Sequence, residues 1–408
     1  MENISAFTIL FLFCGLIILS YFFSVLHRMT RIPSVLLLLG AGILLRFFTT
    51  RWGLAFQFPP MMIELLGTVG LIMIVLEAGL DLELSRARIP LIKSSLLSAV
   101  VIFFISSIGI ATIIYFRLPG ASVMSCLAYA IPLSIVSSAV VFPSVQNLQA
   151  ETREFLVYEV SFADVIGIMT FNFITADQVI GFHAFTWFLG SIPVALILSV
   201  GVCFGLMILL VRNQINIRFF LVFAVLIVTY IGGKMMHLPS LITILMFGLV
   251  VNNWELVTWK PLQGYFPAEG VTEMRRFLKS ITAESSFLIR TFFFIIFGFG
   301  INLSFLQNTE VLLTGGAIVL ALLAVRFIYL RIVHRYNLFP ELFYIPRGLI
   351  TVLLFYKIPD WQRIETFDEG ILFFVILGTS LIMMFGSILY PDKPVNVETV
   401  GISEEEYN

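Results

Sequence analysis

Charged residues are scarce in this sequence. Asp, Glu, Lys and Arg together make up 12% of the 408 residues, whereas 59% of the residues are hydrophobic. A soluble globular domain carries about 25% charged residues. The composition therefore excludes that class and indicates a chain whose solvent is lipid. The formal net charge is −1, which argues against binding to nucleic acid.

Cysteine and histidine are also few, with three and four residues respectively. The cysteines lie in apolar stretches and show neither a disulfide framework nor the spacing of a metal site. The histidines are scattered near the ends of predicted helices. We therefore expect no cofactor and no enzyme activity. These residues are Cys14, Cys126, Cys203, His27, His183, His237 and His334.

Long apolar runs, by contrast, dominate the sequence. Runs this long and continuous favour membrane-spanning helices over barrel strands. They predict an all-α polytopic membrane protein, with a transmembrane domain over 1–395 and a short acidic tail over 396–408. The amphipathic segment 254–280 is predicted to be an interfacial linker or a plain loop. About thirteen runs are long enough to span, at roughly 4–26, 33–48, 61–80, 91–116, 122–147, 154–175, 184–211, 217–236, 239–253, 281–302, 310–334, 340–357 and 370–390.

The basic residues predict the orientation of the chain in the membrane. Loops after odd-numbered spans hold fifteen Lys and Arg residues, and loops after even-numbered spans hold six. Because cytoplasmic loops are rich in these residues, we expect the N-terminus outside and the C-terminus in the cytoplasm. The first apolar run is too long for the core of a signal peptide. We expect a multi-pass protein of the inner (plasma) membrane.

Two spans carry signs of interruption. The fifth contains Pro132 and Pro143 around "LSIVSSAVV", and the twelfth contains Pro346, Arg347 and Gly348 in "FPELFYIPRGLITV". The two spans are seven apart, so a linker helix between two inverted six-helix repeats would give them matching positions. Paired interrupted helices indicate the binding site of a transporter. The sequence therefore predicts unwound crossing helices at positions 5 and 12.

Asp164 lies near the middle of the sixth span, where a carboxylate is costly and usually marks an ion or proton path. Ser161 is three residues earlier, on the same helical face. A carboxyl here could hold a proton and release it to a hard monovalent cation, with Ser161, Ser137 and Ser138 as further oxygen ligands. The alternative is a protonated Asp164 that is satisfied by a hydrogen bond between helices.

Glu159 lies about 140° around the helix from Asp164, so the two carboxylates should not bind one ion together. We expect Glu159 to face a neighbouring helix and to form a structural ion pair with Arg326 of the eleventh span. Two further charged residues in the spans, Glu77 and Arg290, are expected to reach the membrane interface.

Several of these segments together resemble the monovalent cation/proton antiporter superfamily, specifically its sodium/proton exchanger branch. "LGTVGLIMIVLEAGLDLEL" is similar to the third-helix pattern of that family, and "LSIVSSAVVFPSVQNL" to its first unwound crossing helix. "EVSFAD" resembles the ion-binding helix, at Glu159 and Asp164. "AVRFIYL" matches the segment with the buried basic residue, here Arg326, and "PRGLI" resembles the Arg-Gly signature of the second crossing helix.

The resemblance implies a homodimer with a scaffold domain and a mobile core domain, with core helices at about 91–175 and 281–357. It also implies electroneutral exchange through a single Asp. Two positions depart from the family's pattern: Ala163, where Asn, Asp or Gln is usual, and Ser138, where Asp is often found. We predict an antiporter that exchanges H⁺ for Na⁺, with K⁺ as the alternative cation. The alternative function is a membrane sensor that no longer transports.

Overall fold

The computed structural model describes residues 14–23, 25–26, 32–51, 60–85, 88–145, 148–176, 190, 193–194, 197–202, 204–206, 208, 218–235, 240–254, 268–301, 303–334 and 338–390. Among these residues there are helices and turns but no strand. Seven helical stretches among the described residues are long and apolar enough to cross a membrane, and one of them, Val123–Ser144, is interrupted at residues 135–137. This confirms an all-helical membrane protein with several spans.

We label the described helices in chain order. Residues 197–202 and 204–206 are also helical and carry no label. The labelled helices are α1 (Cys14–Phe23), α2 (Ser34–Arg51), α3 (Pro60–Asp81), α4 (Ile89–Arg117), α5 (Val123–Ser134), α6 (Ser138–Ser144), α7 (Ala150–Ile174), α8 (Arg218–Met235), α9 (Ser240–Asn252), α10 (Ala268–Gly300), α11 (Thr309–Tyr329), α12 (Leu349–Tyr356) and α13 (Gly370–Leu389).

Some of the predictions fall outside the described residues. The first and seventh predicted spans are described only in part, and the tail 396–408 and residues 255–267 of the predicted linker are not described. The same holds for several basic residues on which the predicted orientation depends, namely Arg28, Arg31, Arg86, Arg212, Lys260, Arg335 and Lys393.

Helix α10 corrects one predicted boundary. It begins at Ala268 and continues to Gly300, so residues 268–280 are part of a long helix and the predicted start at 281 is wrong. No proline or glycine interrupts residues 271–297, so nothing breaks the helix there. The buried side chains Val271, Met274 and Leu278 continue the 3.6-residue period that packs the helix against its neighbours.

The described helices pack in two groups. In the first group α4 packs against α5, α7 and α11, and α5 also packs against α7. Helix α6 packs against α7, and α13 packs against α11. In the second group α10 packs against α2 and α3, and α9 packs against α3 and α8. Residues 281–300, as part of α10, therefore lie in the second group by their contacts. Helix α12 touches both groups, through α5 and α3.

Glycines bring helices of the second group into backbone contact. A Cβ atom added at Gly248 of α9 would lie 3.0 Å from the Cα of Gly79 in α3. A Cβ atom added at Gly298 of α10 would lie 3.0 Å from the Cα of Leu39 in α2. Small residues at such positions allow the close approach that packs membrane helices together.

Candidate functional site

The two interrupted helices meet through their non-helical segments. Residues 135–137 separate α5 from α6, and residues 344–348 separate the 3₁₀ turn Glu341–Phe343 from α12. The backbone N–H of Ser137 donates to the carbonyl oxygen of Pro346 at 2.9 Å. Proline disfavours the helical conformation in the residue before it, so Pro346 keeps its segment open for this contact.

The crossing leaves no room for a side chain at position 348. A Cβ atom added at Gly348 would lie 2.5 Å from the Oγ of Ser137 and 2.9 Å from its Cβ. Contacts under about 3.0 Å between such atoms force a neighbour to move. Glycine at this position therefore permits the close approach of the two segments.

Arg347 binds the carbonyl groups that the interruptions leave free. Its side chain is buried, and its Nε donates to the carbonyl oxygen of Leu133 at 2.6 Å, while Nη1 donates to that of Ile345 at 2.9 Å. Its backbone N–H donates to Thr379 Oγ1 at 3.1 Å. A cation at the C-terminal carbonyls of α5 is favoured by the helix dipole. Arg347 thus holds both interrupted helices together.

Asp164 lies in α7 beside the start of α6. Its residue is 3% exposed, and the hydroxyl and backbone N–H of Ser138 face its carboxylate. Neither Oδ1 nor Oδ2, however, has a hydrogen-bond partner of good geometry among the described residues. A buried polar group without a partner is uncommon and requires an explanation.

The three serines predicted to act with Asp164 differ in their surroundings. Ser137 and Ser138 are buried at the crossing, and in the described part of the chain neither Oγ atom has a hydrogen-bond partner. Ser161 is also buried, but its hydroxyl donates to the carbonyl oxygen of Val157 at 2.7 Å. Ser161 can therefore offer only its lone pairs to a ligand.

Glu159 and Arg326 form a buried bidentate ion pair. Arg326 Nη1 donates to Glu159 Oε1 at 3.2 Å and Nη2 donates to Oε2 at 2.9 Å, with side-chain exposures of 0% and 3%. Ser98 of α4 donates a further hydrogen bond to Oε1 at 2.6 Å. The pair joins α7 to α11, and its fork geometry is the strong arrangement for arginine and carboxylate. Glu159 is thus directed away from Asp164.

The unpaired atoms at the crossing limit the chemistry of the site. They are oxygens from a carboxylate and two hydroxyl groups, a donor set that suits hard cations better than transition metals. A buried carboxylate is stabilised either by a proton or by a cation close to it. The arrangement can therefore bind H⁺ and a small cation in competition.

Glu77 and Arg290 are paired, which the sequence analysis did not predict. Arg290 Nη2 of α10 lies 3.7 Å from Glu77 Oε1 of α3, and the two side chains are 12% and 13% exposed. That the two residues reach the membrane interface stays a prediction. The two charges lower their cost within the membrane by pairing between helices.

Two residues at the site were not identified from the sequence, Ser98 and Thr379. Ser98 donates a hydrogen bond to Glu159, and Thr379 accepts a hydrogen bond from the backbone N–H of Arg347. Each is a polar residue inside an apolar span, which is a weak signal because serine and threonine can also bond to their own helix. Thr379 does so as well, donating to the carbonyl oxygen of Val375 at 2.7 Å.

Comparisons with known proteins identify a family and a fold. A family model described as sodium/hydrogen exchanger, transmembrane, matches residues 10–390. The chain is similar to the structure at pH 8 of the sodium proton antiporter MjNhaP1 from Methanocaldococcus jannaschii, with 17% identity and a TM-score of 0.68 over 95% of this chain and 99% of that chain. An electron-microscopy structure of the same antiporter matches with 17% identity and a TM-score of 0.64, covering 95% and 96%. At this identity the likeness shows the fold. No curated protein sequence matches the chain.

Proposed function

The chain belongs to the transmembrane sodium/hydrogen exchanger family, and we propose that it exchanges H⁺ for a monovalent cation through Asp164. Family membership makes it a transporter and not an enzyme, and confirms the resemblance seen in the sequence motifs. The proposed cation is Na⁺, with K⁺ as the alternative.

One observation carries the role of Asp164. Its two carboxylate oxygens are buried beside the crossing, and neither has a hydrogen-bond partner in the described residues. In the proposed cycle the carboxyl holds a proton while the site faces one side of the membrane. The site then reorients to the other side, releases the proton there and binds a cation from that side, which the next reorientation carries back across the membrane. Ser137, Ser138 and Ser161 contribute oxygen atoms to the cation.

Since a proton and a monovalent cation carry the same charge, alternating them on one carboxylate moves no net charge across the membrane. We therefore propose electroneutral exchange. Glu159 and Arg326 already neutralise each other, so in this scheme they carry no transported charge. Their proposed role is to fix α7 against α11 so that Asp164 stays in register with the crossing.

We further propose an architecture of thirteen spans in two inverted repeats of six. The packing pattern supports this proposal. In this scheme each predicted span of the first repeat corresponds to the span seven places later in the chain. The second span, α2, then corresponds to the ninth, α9, and the third span, α3, corresponds to the tenth, α10. The contact of α2 with α10 then corresponds to the contact of α9 with α3, and both contacts use glycine.

The two packing groups support a division into a mobile core and a scaffold. We propose a core of α4–α7 and α11–α13, and a scaffold that includes α2, α3 and α8–α10. This places 281–300 in the scaffold, in contrast to the core of 91–175 and 281–357 expected from the sequence. A homodimer through the scaffold, an outside N-terminus, a cytoplasmic C-terminus and a plasma-membrane location remain part of the proposal.

The alternative function is a sensor that binds no cation or moves none. The observation that favours it is Ala163, which is buried beside Asp164 in the chain and supplies no polar atom. Calorimetric titration with monovalent cations separates the two functions, because absence of binding heat for every cation would support the sensor.

The proposed exchange is tested in proteoliposomes loaded with a pH-sensitive dye. An inward gradient of Li⁺, Na⁺, K⁺ or Rb⁺ is applied in turn, with choline as the impermeant control. We expect proton efflux with Na⁺, or with K⁺ if that is the transported cation. No proton movement with any of the four cations would contradict the proposal.

A further inference from the structure

Glu341 is a second buried carboxyl group that the proposed exchange does not use. It opens the 3₁₀ turn Glu341–Phe343, directly before the non-helical segment 344–348. The residue is 4% exposed, and its Oε2 atom has no hydrogen-bond partner in the part of the chain that the structure describes. An ionised carboxylate in this position would be costly.

Arg326 connects this turn to the ion pair with Glu159. Its Nε donates to the backbone carbonyl oxygen of Glu341 at 2.8 Å, while Nη1 and Nη2 are both used by Glu159. Ser98 gives Glu159 one more hydrogen bond. The charge of Glu159 is thus compensated, whereas the side chain of Glu341 forms no ion pair within the described residues.

Charged groups of both signs surround Glu341. The groups that act on its carboxyl are Arg326 on α11 and two carboxylates on α7, Glu159 and Glu151. Helix α13 also packs against the turn, and it has no charged residue. One guanidinium therefore stands among three carboxylates, of which Glu151 is exposed.

We propose that Glu341 is a proton-binding site separate from Asp164, and that its proton decides how firmly Arg326 holds Glu159. With the proton bound, Glu341 is neutral and Arg326 and Glu159 balance each other. When the carboxyl loses its proton to water, the buried group carries a net negative charge and the two carboxylates compete for one guanidinium.

This competition reaches the crossing through the backbone. Arg326 Nε holds the carbonyl oxygen of Glu341, and the chain continues from this turn to Pro346, whose carbonyl oxygen accepts from Ser137. A shift of Arg326 toward the Glu341 carboxylate therefore strains both the Glu159 pair and the segment that forms the crossing. Exchange, in the proposed function on which this consequence rests, then declines at alkaline pH.

The proton site can be tested without transport. Infrared titration detects the carbonyl band of protonated carboxyl groups, and the background variant Asp164→Asn removes the proposed carrier. We expect this variant to keep a titrating buried carboxyl that the double variant Asp164→Asn with Glu341→Gln lacks. The matched control is Asp164→Asn with Glu365→Gln, since Glu365 is exposed. Identical titrations in the double variant and its control would overturn the proposal.

The effect on exchange is measured as a pH profile in proteoliposomes. We expect Glu341→Gln to shift the alkaline limb to higher pH, with the KM for the cation at neutral pH unchanged, while Glu365→Gln retains the native profile. A Glu341→Gln profile that superimposes on the native one would overturn the coupling to Arg326. If Glu341→Gln does not fold, the test uses Glu341→Asp in the Asp164→Asn background. We then expect the infrared band to titrate at a different pH from that of Asp164→Asn alone, and an unchanged titration would equally overturn the proposal. If Glu341→Gln removes the infrared band but the native protein shows no exchange activity, the result supports the proton site and contradicts the proposed function.

Discussion

Ser137 donates its backbone N–H to the carbonyl oxygen of Pro346 at 2.9 Å, and this bond joins two interrupted helices that lie about two hundred residues apart in sequence. It satisfies one donor and one acceptor that the interruptions leave without helical partners. Next to it, the side-chain oxygens of Ser137 and Ser138 have no hydrogen-bond partner among the residues that the structure describes. The backbone groups of the crossing are thus paired with each other, whereas its serine hydroxyl groups can still bind a ligand.

The close approach at the crossing predicts that Gly348→Ala is harmful. The added methyl group meets Ser137 at 2.5 and 2.9 Å, and overpacking of this kind costs about 1–3 kcal/mol. We expect a lower temperature of unfolding in detergent and a loss of exchange. The matched control is Gly316→Ala in α11, where an added Cβ has nothing within 4 Å. Equal stability and activity of the two variants would show that the segments do not cross this closely.

The ion pair of Glu159 and Arg326 predicts strong coupling between its partners. Either single change, Glu159→Gln or Arg326→Gln, leaves a buried charge unpaired, which costs about 3–5 kcal/mol. The double variant removes both charges and should recover part of that loss. Unfolding free energies of the four proteins give the coupling. Additive losses would mean that the two side chains act independently.

Arg347 predicts a different response, because it binds carbonyl groups and not a carboxylate. Arg347→Met leaves the carbonyl oxygens of Leu133 and Ile345 without this donor, at a cost of about 1–3 kcal/mol for each buried group. We expect reduced thermal stability and reduced exchange, which Arg347→Lys restores only in part since lysine lacks the planar fork. Arg363→Met, at an exposed arginine, serves as control. Native behaviour of Arg347→Met would refute this role.

Exchange on one carboxylate predicts no dependence on membrane voltage. Protein adsorbed on a solid-supported membrane should show no transient current when the cation gradient is applied, although the pH dye reports proton movement in the same preparation. A cation-dependent current in one direction would instead mean that each exchange cycle moves net charge across the membrane.

The interrupted helices could be predicted from the sequence because their cause is local. Pro346 restricts the backbone of the residue before it and lies in the non-helical segment 344–348. Pro132 and Pro143 lie inside α5 and α6 and mark the span in which residues 135–137 interrupt the helix. Asp164 could be identified because a carboxylate stands out in an apolar span.

Other features depend on packing between distant helices and could not be predicted. Residues 268–280 are amphipathic. This pattern is typical both of a linker on the membrane surface and of the first turns of a packed helix such as α10. The contacts of α10 with α2 and α3, which the sequence does not show, decide between the two. The pairing of Arg290 with Glu77 could not be predicted because the two residues lie more than two hundred positions apart in the sequence. The proposed proton site at Glu341 depends on the position of Arg326, which lies on another helix and could not be placed from the sequence of the turn.

Competition between a proton and a cation for Asp164 is measured most directly as proton release on cation binding. Purified protein in weak buffer at mildly acidic pH is mixed with Na⁺, or with K⁺, and a pH indicator follows the solution, with choline at equal ionic strength as control. We predict release of protons from the native protein and from Asp360→Asn, whose altered side chain is exposed, but none from Asp164→Asn. Equal proton release from Asp164→Asn would contradict the account.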